Sequence, residues 1–301
     1  DNGPIVVDGP WTFEAEDDNA LVIKAWRAAD ERDGAAAVSY ASCPTDGDGW
    51  LPVVAGAWSF QLPADPDRPF PLPVWFRASF DVADVPERLA LILDGMDGSD
   101  LRVHLNGTMV DAQPKRSRFD AQMRELDLTP HVRTGSNDLA IRLVVERNTG
   151  GIVDHLKLMG TFGLDGDAQK GYRMVAPHSA ARPAPWTEQG YPFYSGTGVY
   201  RARFDAPSVG DGERVVLEVP MGDDVLEAEV NGRSAGVRLW YPYAFDVTDL
   251  LLPGENEITL RVANTIANLL NGVDRSSGIA GAPRLVAASS KARVGARQRE
   301  A

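Results

Sequence analysis

The sequence predicts an all-β chain built as two tandem antiparallel β-sandwiches, and three observations carry that reading. Short apolar–polar alternations recur along the chain, separated by Gly, Pro, Asn and Asp turns, and nothing resembles a long amphipathic helix. A set of sequence blocks occurs twice, in the same order. The length of 301 residues also sets a prior of about two domains.

Taken in chain order, the first block is WFRASFDV from Trp75, answered by VYRARFDA from Val199. Phe76, Ala78 and Phe80, like Tyr200, Ala202 and Phe204, fall on one side of a period-two strand. Leu89, Leu91 and Leu93, and in the second copy Val215, Leu217 and Val219, supply the next strand. VHLNG ending at Gly107 matches AEVNG ending at Gly232, and Asn-Gly after an alternating run is the strongest short hairpin signal. The last block is the longest: LDLTPHVRTGSNDLAIRLV, Leu126 to Val144, aligns without a gap on FDVTDLLLPGENEITLRVA, Phe245 to Ala263. In it Thr129-Pro130 and Thr248-Asp249 read as an N-cap and first helical position of a single turn. Gly135 and Gly254 end that turn where a positive φ is needed, before a half-buried strand. A repeat of well over a hundred residues is too long for a solenoid, so a domain has been duplicated.

The expected division is a first sandwich over 1–164, with a long insertion near 30–73, a second over 165–288, and a flexible tail over 289–301. The join, GLDGDAQKGYRMVAPHSAARPAP from Gly163, is rich in turn residues and reads as irregular.

Acidic residues outnumber basic ones 43 to 30, for a formal net charge of −13. Such a surface repels phosphate backbones and anionic lipid, so neither nucleic acid nor membrane is expected as a partner. No apolar run is long enough to span a bilayer. The chain begins at Asp1 rather than Met, as a mature product or excised fragment would, so extracellular and cytoplasmic locations both stay open. A single cysteine, Cys43, has no partner for an internal disulfide or a cysteine-based metal site.

The run VNG…W.PY.FDVT..L.PGEN.I.L.V.NT..N.L, Val230 to Leu270, resembles the galactose-binding-like β-sandwich of glycoside hydrolase family 2-type sugar-binding domains. The same pattern occurs near the C-terminus of rhamnosidase-like bacterial glycosidases. WTFEAEDDNALVIKAW near the start and WTEQGYPFYSGTGVYRARF, Trp186 to Phe204, resemble the accessory region of such proteins. The resemblance implies two galactose-binding-like jelly rolls and a parent that cleaves glycosidic bonds. In such parents the catalytic carboxylates usually sit in a separate barrel of about 250 residues, for which this chain has no room and no βα alternation.

The expected function is therefore a non-catalytic accessory pair that braces a catalytic domain and contacts glycan. Its partners are carbohydrate and the catalytic domain of the parent chain. The alternatives are an autonomous carbohydrate-binding module, or an intact hydrolase with its site between the sandwiches. Pyranose faces lie on aromatic rings while hydroxyls seek carboxylate, amide or guanidinium partners. That chemistry nominates Trp186, Glu188, Tyr191 and Tyr194, with Phe193 beside them, and Arg238, Trp240, Tyr241 and Tyr243. The same aromatics would serve equally to plug the end of a sandwich. The first copy carries RSRFDAQMRELDLT at the second cluster's place, without an aromatic cluster, so the fold itself does not require that cluster.

No cofactor is expected beyond a structural calcium. In LDGMDGSDL the spacing of Asp94, Asp97 and Asp100 suits an oxygen-rich calcium loop, although Asp and Gly also serve turns for local reasons. Asn264 and Asn268 are expected to satisfy loop backbone groups. The histidines, His104, His131, His155 and His178, show no metal spacing, and His104, at a polar strand position, is expected to be exposed.

Overall fold

A computed structural model describes residues 3–31, 37–47, 49–63, 65–206 and 212–289. Strands hold 48% of residues and helices 7%, which makes the chain all-β as expected. The expected flexible tail lies outside the described residues except for Ser289, which closes the strand Arg284–Ser289.

Five sheets occur among the described residues, and most of their apolar side chains fall into two cores. The first core lies between two sheets. One is ordered Lys115–Arg116, Arg124–Asp127, Leu89–Leu93, Leu156–Gly160 and Asn19–Ile23. The other is centred on Leu72–Val82 and Gly135–Val145, paired antiparallel from Gly135 opposite Val82 to Val145 opposite Leu72. Phe76, Leu89, Leu91, Leu139, Ile141 and Leu158, drawn from both sheets, meet in it. The second core lies between Thr197–Asp205, Glu255–Ala263 and Val225–Val230 on one side and Glu213–Glu218, Ala244–Asp246 and Arg284–Ser289 on the other. Tyr200, Val215, Leu217, Phe245, Ile258 and Leu260 fill it.

Both boundaries of the expected division need correction. Ile5–Val6 pairs with Arg284–Ser289 and Trp11–Ala15 with Thr197–Asp205, so the N-terminal strands complete the sheets of the second core. The join is not irregular. Gly163–Asp167 and Gly171–Val175 form a hairpin whose second strand runs parallel to Leu72–Val82, which places Leu164 and Met174 in the first core. Gly166 and Gly171, at φ of 103° and 87°, supply positive-φ positions around that turn.

Each core carries one copy of the same polar clasp. Asn106 and Asn231 sit at φ of 54° and 53° at the head of their Asn-Gly turns. The Nδ2 of Asn106 donates to the His131 carbonyl (3.1 Å) and to Asn137 Oδ1 (2.9 Å). That of Asn231 donates to the Leu250 carbonyl (2.9 Å) and to Asn256 Oδ1 (2.7 Å). Asn137 in turn donates to the carbonyls of Arg133 and Gly135, as Asn256 does to those of Leu252 and Gly254. The expected helix-capping threonines do something else. Thr129 Oγ1 accepts the Leu89 N–H at 3.0 Å and Thr248 Oγ1 the Val215 N–H at 2.9 Å. They tie the turn to the neighbouring strand, because that buried N–H needs an acceptor more than the exposed turn does.

The copies differ on their outer faces. Ala25–Asp30 pairs with Leu72–Val82 and Leu51–Val54 with Ala25–Asp30, which extends the first core's larger sheet, while the short helix Ala37–Ser42, from the segment expected as an insertion, packs on its outer face. On that face Trp75 Nε1 donates to Glu31 (2.8 Å), Arg142 Nε donates to the same carboxylate (2.6 Å), and Arg77 Nη1 donates to the carbonyls of Tyr40 and Cys43 (both 2.9 Å). The Arg77 and Arg142 side chains are 4% and 10% exposed, whereas Arg201 and Arg261 at the matching positions are 41% and 37% exposed and pair with Glu14 and Glu16 in solvent. This cover also corrects the expectation for His104. Its ring packs against Trp75 and is buried, and burial holds its pKa below the usual histidine value, with help from Arg102.

Candidate functional site

Strand Arg233–Arg238 is the edge of its sheet, bonded on one side to Val225–Val230. The chain then turns through Leu239, Trp240 and Tyr241 before Ala244–Asp246 enters the opposite sheet. The expected cluster divides here. Tyr243 points inward, buried, and its hydroxyl donates to the Asp224 carbonyl at 2.6 Å. Arg238 lies over the Phe245 ring at 4.6 Å, and its Nε donates to the Ala244 carbonyl at 3.0 Å. Both hold the turn in place. Trp240 and Tyr241 project outward at 72% and 82% exposure, flanked by the exposed Val237 and Leu239. Burying an aromatic ring stabilises a fold by about 1.5–3 kcal/mol, and here two rings in succession forgo that gain. Grouped large apolar residues left in water are the raw material of a contact surface.

The other expected aromatic cluster is core. Trp186 and Tyr194 are fully buried, and Tyr191 and Phe193 nearly so. Phe13 packs against Trp186, Tyr191 and Tyr200 with centroids 5.8, 4.9 and 5.0 Å away. The Tyr194 hydroxyl donates to the Thr197 carbonyl (2.8 Å) and accepts the Asp17 N–H (3.2 Å), and burial pushes its pKa up. These rings are core, and of them Tyr191 also lines a cavity of about 380 Å³ together with Phe13. What the periodicity could not show is that Phe13, from the N-terminal strand, arrives to seal them.

Glu188 belongs to a different feature, a cleft of about 760 Å³ that it lines with Asp165, His178, Arg182, Gln189 and Asp274. His178 Nε2 lies 3.4 Å from Asp165, while the Gln189 amide is pinned to Arg182 and Ala184. Carboxylate, amide, imidazole and guanidinium groups lining one cleft can exchange hydrogen bonds with a hydroxyl-rich ligand. Apart from Glu188 these residues escaped the sequence reading, because they come from the hairpin, the linker after it and the loop near Asp274, with no local spacing to join them.

The calcium loop does not form. Asp94 pairs with the buried Lys157 (2.5 Å), Asp97 with Arg147 (3.0 Å), and Asp100 with Arg142 (2.7 Å) and Arg102 (3.0 Å). Hydrogen bonding from Arg102 leads the lowering of the Asp100 pKa. Each carboxylate already has a cation, and no group of three metal-ligating side chains occurs among the described residues. Asn264 and Asn268 do what was expected of them. Asn264 accepts the Gly196 N–H (3.0 Å) and donates to the Tyr194 carbonyl (3.0 Å), and Asn268 donates to the Arg275 carbonyl (2.8 Å).

No family model and no curated protein matches the chain by sequence. Among solved structures it is similar to several glycoside hydrolases. With the rhamnosidase from Novosphingobium sp. PP1Y it shares 17% identity at a TM-score of 0.34, over 75% of this chain and 24% of that one. With the exo-chitosanase CsxA of Amycolatopsis orientalis it shares 18% at 0.39, over 81% and 29%. With a β-glucuronidase from Ruminococcus gnavus it shares 8% at 0.40, over 90% and 46%. The chain thus spans less than half the length of each of these enzymes.

Proposed function

We propose that this chain is a non-catalytic accessory unit of a glycoside hydrolase-like protein, two tandem galactose-binding-like β-sandwiches that brace a catalytic domain and present a glycan-contact turn. The exposure of Trp240 and Tyr241 carries the reading. They extend from an edge strand, on rigid supports from Arg238 and Tyr243, in the one copy of the duplicated unit that has them. The sequence resemblance of Val230 to Leu270 to sugar-binding sandwiches supplies the ligand class. Bracing is supported by the same feature, since an exposed apolar turn suits a neighbouring domain as well as a pyranose face. The domain limits proposed from the strand pairing are residues 17–175 for the first sandwich, and 3–16 together with 176–289 for the second.

Isothermal titration of the whole chain with a panel of plant and bacterial oligosaccharides tests the glycan arm. At least one is expected to bind, and Trp240→Ala or Tyr241→Ala to weaken it by about tenfold. No binding across the panel removes that arm and leaves bracing. Turnover of aryl glycosides by this chain alone would overturn the non-catalytic assignment and favour a hydrolase with its site between the sandwiches.

A further inference from the structure

The cleft that Glu188 lines lies where the two cores meet. One side is the Gly163–Asp167 and Gly171–Val175 hairpin, anchored by Leu164 in the first core; the other is the turn Trp186–Glu188, anchored by Trp186 in the second. We propose that this cleft is a second binding site, sharing no lining residue with the aromatic turn, that takes a short neutral oligosaccharide through Arg182, Glu188 and Asp274. The choice of a saccharide rests on the reading of the chain as part of a carbohydrate-active protein; the site itself, and its preference for an uncharged ligand, rest on geometry and charge.

At about 760 Å³ the cleft falls in the upper part of the range of ligand pockets, with room for more than one sugar ring. Its polar groups differ in what already engages them. Asp165 faces His178 at 3.4 Å, and Asp167 accepts the N–H groups of Gln169 and Lys170, both at 2.9 Å. The side chains of Arg182, Glu188 and Asp274 make no ion pair or hydrogen bond among the described residues, although opposite charges line one space. Two acceptors and a fork of donors are thus open to a ligand. An anion would meet four carboxylates against a single guanidinium. A metal cation would find no group of three ligating side chains among the described residues. Hydroxyls suit both kinds of group, because each one donates and accepts. Tyr172 adds a half-buried ring, and burial, with the charges of Asp274 and Asp167, raises its pKa, so its hydroxyl stays a donor.

The two sides are held together in advance. Gly190, at φ of 93°, joins them, its carbonyl accepting the Leu164 N–H at 3.0 Å and Asn19 Nδ2 at 2.9 Å. A Cβ there would stand 3.0 Å from the His178 ring and 3.1 Å from the Leu164 carbonyl, so glycine lets the hairpin and the turn approach. The Gln189 amide accepts the Arg182 N–H (2.8 Å) and donates to the Ala184 carbonyl (2.9 Å), which ties the linker carrying Arg182 to the turn carrying Glu188. Tyr172 meets Phe193 edge-on with centroids 5.3 Å apart. Walls ordered before binding reduce the entropy lost when a ligand arrives, and a junction between domains is a preferred place for such a site.

Calorimetric titration of the whole chain carrying Trp240→Ala/Tyr241→Ala tests the proposal, because in that background the aromatic turn contributes nothing. The probes are xylotriose, cellotriose, mannotriose and galactotriose, with trigalacturonic acid as the anionic counterpart. At least one neutral trisaccharide is expected to bind, and trigalacturonic acid to bind at least about tenfold more weakly. Arg182→Met, Glu188→Gln and Asp274→Asn, all at exposed positions, are each expected to weaken the neutral ligand by about tenfold. In proton–carbon spectra the His178 ring signals, identified by their loss in His178→Gln, are expected to shift on titration while those of the buried His104 stay fixed. Binding that the three cleft variants leave intact overturns the proposal, as does a preference for trigalacturonic acid. Binding by the parent chain without binding in this background overturns the cleft alone and leaves the turn; absence of both removes the glycan reading as well.

Discussion

Asn137 and Asn256 each hold together the backbone of the turn that precedes them. Each is buried, accepts an N–H from four residues upstream, and donates to two carbonyls and receives from the Asn-Gly turn. Removing one leaves several buried polar groups without partners, so Asn137→Ala and Asn256→Ala are each expected to cost about 2–3 kcal/mol in urea unfolding. Similar losses at the two positions would mark the clasps as equivalent. Glu31 shows the electrostatic counterpart. A hydrogen bond from Arg142, then one from Trp75 and the charge of Arg142, hold its carboxyl below the usual glutamate range against the opposing effect of burial. A depressed folded pKa contributes stability above the unfolded value that is lost as pH falls through the folded one. Glu31→Gln is therefore expected to cost about 2 kcal/mol at pH 7, with the deficit shrinking below about pH 4. A deficit that grows on acidification would contradict the assignment.

At the scale of elements, the strands were legible because one face of each meets a core and the other does not. Gly135–Val145 and Glu255–Ala263 run where the alternation put them, and both Asn-Gly hairpins formed. The sequence reading failed where pairing is long-range. Nothing in Trp11–Ala15 announces that its partner is Thr197–Asp205, and the Gly163–Val175 hairpin was hidden by turn residues that serve its own bend. The site suffered likewise. Composition found the aromatics, but which of them face water depends on Phe13 and Asp224, remote in sequence from the clusters they close. Deleting residues 1–16 is expected to strip two strands from the second core and expose Trp186 and Tyr200, lowering its unfolding transition while sparing the first. Differential scanning calorimetry reads this directly; loss confined to the first core would refute the pairing.

At the scale of the molecule, two cores carry one clasp design and differ in what each places on its surface. The first hides its outer face under an added segment, and the second leaves its face open and extends an aromatic turn from its edge. The central claim is that this turn exists for contact and not for folding. Thermal unfolding of the double variant Trp240→Ser/Tyr241→Ser tests it most directly. Substitutions at exposed positions change stability by about 0.5 kcal/mol or less, so the melting temperature is expected to stay within about 2 °C of the parent chain. A fall of about 5 °C or more would mean that the rings support the fold, and would contradict the account.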